Sequence, residues 1–113
     1  MTFSITPADL KSASDAGTQV RLNEAVTLIT KFVDSELSAH VAKVQAGQIA
    51  IKNFQIRVDP AVSKRSEKHI EAMKEVVGAL VAEGFSATYH EEPDYDDGPN
   101  RSSAGYSYIE IKL

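Results

Sequence analysis

The sequence predicts an α+β domain. It reads as a two-layer sandwich in the order (α)-α-β-α-β-β, with a long N-terminal amphipathic helix and a small, mostly antiparallel three-stranded sheet. Three observations predict it. Apolar residues step by threes and fours across residues 22–44, and again across 70–81, which is the period of a helix burying one stripe. Shorter alternating runs lie between and after these stripes, at 49–58, 85–89 and 106–113. The last two runs have no helix between them and so predict an antiparallel hairpin, with the helices covering one face of the sheet.

Thr6-Pro7-Ala8-Asp9 reads as a helix start: Thr can cap, Pro suits the first helical position, and Asp complements the positive end of the dipole. Ser12, Ser14 and Gly17 weaken this segment, so 1–17 is expected to be short or loosely ordered. From Thr18 the long helix carries Leu22, Val26, Ile29, Val33, Leu37, Val41 and Val44, widened by Ala25, Leu28 and Phe32, and Gly47 stops it. At roughly 1.5 Å per residue it spans about 40 Å. A compact chain of this length has a radius of gyration of only about 13–14 Å. The helix is therefore expected to overhang or to pack on another subunit.

A strand comes next over about 51–58, where the alternation breaks at Lys52-Asn53 through either a bulge or a later start. Asp59-Pro60 is expected to end it and to open the second helix, with Ser63 as an alternative cap. That helix carries the stripe Ile70, Met73, Val77, Leu80 and Val81 and closes at Gly84. Phe85, Ala87 and Tyr89 alternate as one strand; Ile109, Ile111 and Leu113 alternate as the last, with Tyr106 and Tyr108 on its other face. Between them, 91–104 is expected to be a long acidic hairpin loop, too polar and too rich in Pro and Gly to be either element. With only three strands, one sheet face and both edges are left for another chain, which predicts a homo-oligomer.

The chain has 113 residues, enough for a single domain, 1–113. Hydrophobic residues at 42% and charged residues at 25% are ordinary for a globular fold. There is no cysteine, which excludes disulfides, thiolate metal sites and cysteine nucleophiles. This fits a reducing compartment, and a cytoplasmic location is expected. Met1-Thr2-Phe3-Ser4-Ile5 has neither a basic region nor a long apolar run, so no signal peptide is expected, and no apolar window suggests a membrane span. The net charge of −4 is uneven: residues 1–40 carry −2, 41–75 carry +3 and 76–113 carry −5.

The basic segment is the first candidate site. Ser63, Lys64, Arg65, Ser66 and Lys68 crowd the expected start of the second helix, where positive charge opposes the helix dipole. Free backbone N–H groups, hydroxyls and cations there, with Arg57 one element upstream, would suit the phosphate of a small molecule or a nucleic acid. Glu67, Glu71 and Glu75 sit at helical spacing from the lysines and would instead make this a solvated, ion-paired helix end. No glycine-rich loop precedes it, so a nucleotide cradle is not expected.

The second candidate is a partner surface made of Glu91, Glu92, Asp94, Tyr95, Asp96 and Asp97 together with Tyr106 and Tyr108. Read as a calcium loop from Asp94, Gly98 falls fifth and Gly105 twelfth, so the pattern fails. Long loops in compact domains are either functional or disordered, and Tyr95 would be a natural contact residue for a basic protein partner. Tyr106 and Tyr108 could stack bases, but Glu110 and the acidic segment repel phosphates, so a protein partner is favoured over nucleic acid. His40, His69 and His90 fall on three different elements without His-x-x-x-His spacing, and no metal or other cofactor is expected. No nucleophile-elbow pattern is present, and no enzyme is expected.

The C-terminal segment, with Val81-Ala82-Glu83-Gly84-Phe85 ending a helix and Tyr108-Ile109-Glu110-Ile111-Lys112-Leu113 closing a hairpin, resembles small bacteriophage-encoded accessory proteins that end in a helix-plus-hairpin unit. The resemblance is architectural and carries no functional residue over. It implies an accessory or host-targeting viral product that binds a host protein or a small ligand.

Overall fold

The computed structural model describes residues 4–93, 95–96, 102–103 and 105–112. Helix α1 runs Pro7–Gln45, strand β1 Phe54–Arg57, a 3-10 turn Pro60–Ser63, helix α2 His69–Ala82, and strands β2 Ser86–Glu92, β3 Tyr95–Asp96, β4 Ser102–Ser103 and β5 Tyr106–Lys112. The class is α+β: two helices cover one face of an antiparallel sheet ordered β1-β5-β2.

The start signal at Thr6 and the stripe from Thr18 belong to one continuous helix. Thr6 Oγ1 accepts the Asp9 N–H at 3.2 Å while the Asp9 carboxylate accepts the Thr6 N–H at 2.9 Å, a complete capping box. That cap, with Pro7 behind it, carries the helix through Ser12, Ser14 and Gly17. At the far end Gly47 takes φ 73°, the Gly47 N–H reaches the Val44 carbonyl and the Gln48 N–H reaches the Lys43 carbonyl. This is the Schellman closure, which requires a left-handed residue. Gly84, at φ 100°, closes α2 the same way, with Gly84 bonded to Val81 and Phe85 to Leu80.

The second helix does not open at Asp59-Pro60. The Asp59 carboxylate does cap, accepting the Ala61 N–H at 2.8 Å, but the turn it starts lasts only four residues. Lys64 and Arg65 then adopt φ 56° and 54°, with the Lys64 N–H on the Ala61 carbonyl and the Arg65 N–H on the Pro60 carbonyl. A third Schellman closure thus ends the turn, here with lysine where the other two use glycine. Helix α2 begins only at His69, so the basic cluster precedes it rather than forming its first turn, and Ser63 is buried rather than capping.

The core is Ala25, Ile29 and Val33 of α1, Ala72, Met73, Val76 and Leu80 of α2, Ile56 and Val58, and Ile109 and Ile111 of β5. Relative to the expected stripe, α2 is rotated. Ala72 and Val76 are buried, while Ile70 and Val81 stay exposed. The regular strand β1 starts at Phe54, after the Lys52-Asn53 break, and Ile51 remains exposed. The register pairs Ile56 with Ile109 and Tyr89 with Ile109, so these share the helix-facing side; Arg57, Tyr108 and His90 form a row on the outer side.

Part of the 91–104 segment is paired backbone among the described residues. β2 extends through Glu92, and Tyr95 and Asp96 pair with Ser103 and Ser102 in the same register as β2 with β5. At Tyr95–Asp96 and Ser102–Ser103 the hairpin pairing therefore continues as an arm. Asp94, Asp97 and Leu113 lie outside the described residues.

This packing leads to two stability measurements. Ile109→Ala, at a side chain with no solvent contact, is expected to cost about 3–4 kcal/mol in urea unfolding. Lys64→Gly is expected to raise stability by roughly 0.5–1 kcal/mol, because the left-handed conformation costs lysine but not glycine; a loss on that scale would contradict the backbone assignment.

Candidate functional site

At the Arg57 end of the sheet the chain leaves β1, turns through Asp59 and Pro60, and passes the first turn of α2. β2 ends there and β5 begins there. The space between is an open groove of about 720 Å³, lined by Arg57, Val58, Asp59, Pro60, His69, Ile70, Glu91, Glu92, Pro93, Gly105, Tyr106 and Ser107. Its size falls within the usual range for ligand clefts.

The groove combines residues from both sequence candidates: Arg57 from the basic set, and Glu91, Glu92 and Tyr106 from the acidic one. The Arg57 guanidinium lies 3.4 Å from the centre of the Tyr106 ring, a cation–π stack. Tyr106 neighbours Tyr108 at 5.7 Å, and Tyr108 stacks on His90 at 5.1 Å with the rings 13° from parallel. A line of planar groups thus crosses all three strands on the outer face. Tyr108 sits in its middle and is only 8% exposed. Burial raises its phenol pKa, helped by the negative field of Glu92 and Glu110. On the inner side Tyr89 donates to Glu91; burial first, and that carboxylate second, push its pKa up as well.

The remaining basic residues are directed elsewhere. Lys64 pairs with Glu24 of α1 at 3.4 Å and Lys68 with Glu71 at 3.2 Å. Glu67 pairs with Arg21 of α1. Arg65 is exposed and makes no ion pair among the described residues. The Ser66 hydroxyl accepts the Lys68 N–H at 3.1 Å. Lys64, Arg65 and Lys68 do not line the groove that holds Arg57. The set is therefore scattered: Arg57 lies on the sheet face, Ser63 in a buried bond, Lys64 against α1, Lys68 against Glu71 at the start of α2, Ser66 in a local turn, and Arg65 is exposed. Of the acidic set, Tyr95 and Asp96 lie on the arm beyond the groove.

Spacing gave no hint of one contact. Ser63 Oγ lies 2.7 Å from His69 Nδ1, and Ser63 also donates to the Pro60 carbonyl at 3.1 Å. A separation of six residues does not match helix periodicity, and the two residues lie on different elements. A serine on a histidine is the geometry of an activated nucleophile, but Ser63 is 3% exposed and its one hydroxyl proton is donated to the Pro60 carbonyl. The pair locks the 3-10 turn to the first residue of α2. Burial lowers the His69 pKa; the Val58 carbonyl and the Asp59 carboxylate oppose this more weakly. His40 stacks on Phe54 at 3.8 Å. The three histidines thus each serve a different packing contact.

Comparison with protein families, with curated proteins and with solved structures finds no match to the chain. Among the described residues no helix is long and apolar enough to cross a membrane.

The His69 environment gives a pH dependence with a definite sign. In the unfolded chain the imidazole takes its proton as pH falls through 6.5; in the fold it stays neutral to lower pH. The unfolded state binds the proton first, so stability should fall as pH drops below 6.5, levelling only below the folded pKa, and should be independent of this group above 6.5. Urea unfolding on both sides of that pH should show a steeper acid loss in the native sequence than in His69→Gln. Equal slopes would mean that His69 is not desolvated.

Proposed function

We propose that the chain is a non-enzymatic interaction protein that works as a homo-oligomer. The observation that carries this reading is the mismatch between α1 and the core. The helix has 39 residues, about 58 Å at roughly 1.5 Å each, yet only Ala25, Ile29 and Val33 are buried. Every position from 7 to 16 is exposed, Leu10 among them. The chain measures 73 × 43 × 19 Å with a radius of gyration of 19.0 Å, against about 13 Å for a compact domain of this length. A helix end without tertiary support is marginal in water. Leu10 and Val20 on α1, and Ile51 after it, are more than half exposed. Cover from further copies accounts for both facts.

A protein surface suits the rest of the molecule better than nucleic acid does. The net charge is −4, and Glu92 and Glu110 flank the outer-face tyrosines. The non-enzymatic part of the reading is supported by the closed position of Ser63, the hydroxyl best placed for activation. A phosphate-bearing small molecule held by the basic set is supported less, because Lys64 and Lys68 already face carboxylates and Arg57 lies on Tyr106.

Sedimentation of the purified chain across the micromolar range should give a multiple of 12.3 kDa. A monomer at every concentration would overturn the reading.

A further inference from the structure

The sheet has two open edges, and they differ. β1 offers four residues; β2 offers seven, Ser86–Glu92, in unbroken register with β5. Among the described residues no backbone group outside β5 bonds to β2. Natural edge strands are blunted by proline, bulges or charged side chains; β2 has no proline or bulge, and its only charged residues, Glu91 and Glu92, are confined to one end. Beside this edge lies a flank of α2. Ile70, Lys74, Val77 and Val81 recur at helical spacing on one side of the helix. Lys74 marks that side as the one next to β2, its ammonium 5.7 Å from the centre of the Tyr89 ring. Ile70 is 39% exposed and Val81 53%. An open strand and an apolar helix flank therefore run side by side, one in each layer of the sandwich.

We propose that β2 pairs antiparallel with β2 of a second copy, so that two sheets join into one and the two α2 flanks meet beneath it. This rests on the homo-oligomer reading and names the surface that builds it. A two-fold axis perpendicular to the sheet keeps outer residues opposite outer residues. Overlap of the whole strand places Tyr89 opposite the same residue of the other copy. Thr88 then faces His90, Ala87 faces Glu91 and Ser86 faces Glu92. Along the paired strands no like charges meet, which is what cross-strand pairing requires. The carboxylate end of each strand lies against the end where β5 brings Lys112 beside Ser86. The strand layer is complementary to itself, as a two-fold interface must be, and the helical layer brings apolar Ile70, Val77 and Val81 of each copy to the seam on either side of Lys74.

The chain contains no cysteine, so one introduced thiol reports the pairing. Residues directly opposite across an antiparallel pair have Cβ atoms roughly 4.5–5.5 Å apart, near the disulfide range. Under mild oxidation Tyr89→Cys is expected to become a covalent dimer, while Gln55→Cys on β1 is not. If Tyr89→Cys stays uncrosslinked, or crosslinks only to a foreign protein, while the native chain sediments as an oligomer, the edge pairing is wrong and self-association stands. A monomeric native chain removes both. Because Tyr89 is partly buried, Val81→Glu on the exposed flank supplies a second reading. It should weaken the dimer at least tenfold with the circular dichroism unchanged, and an unchanged dissociation constant would overturn the proposal.

Discussion

Ile109 and Ile111 have no appreciable solvent contact because β5 lies between both other strands and its inner side chains share one core with both helices. β1 and β2 do not touch each other; each belongs to the sheet only through β5. The helices in turn need the face that β5 completes, since Ile29, Met73 and Leu80 pack against it. The outer side of the strand has no second helical layer. Its centre is shielded by its own side chains: Tyr108 is covered by His90 and Tyr106, and Arg57 lies across Tyr106. Planar groups, tolerant of water at their rims, let a single-layer sheet hide the middle of its bare face.

Much of this could be read locally. The α1 period, the Thr6–Asp9 box and the glycines at 47 and 84 are signals within a few residues, and each forms what its chemistry implies. The outer-face placement of Tyr106 and Tyr108 also comes from simple alternation. The basic cluster was harder, because an aspartate before a proline caps a 3-10 turn as well as an α-helix, and only the left-handed Lys64 distinguishes them. The hairpin arm was illegible, because Glu91 to Asp97 shows no alternation; its pairing is backbone register inherited from β2 and β5. The groove was illegible for a different reason. Arg57 meets Tyr106 through the β1–β5 pairing, and a contact between residues that distant leaves no periodic trace.

The positive charges ahead of α2 oppose the helix dipole, and carboxylates lie against several of them. Glu24 on α1 reaches Lys64, and Arg21 on α1 reaches Glu67. Exposed pairs of this kind contribute little each, typically below about 1 kcal/mol. Their effect is positional: they fix where the 3-10 turn sits along α1, and the buried Ser63–His69 bond fixes where α2 begins.

The strand order also constrains how the chain can fold as it is made. Both neighbours of β5 precede it in the sequence, β1 by about fifty residues. While the ribosome is still adding that stretch, no sheet can exist, and the apolar faces of α1 and α2 have only each other to cover. The nascent species is thus a helical pair with an unpaired strand on either side. Closing a loop of that length then sets the pace of the final step. A chain built this way gains its native core in one late event rather than by accretion, and any delay leaves β2 waiting with both edges open.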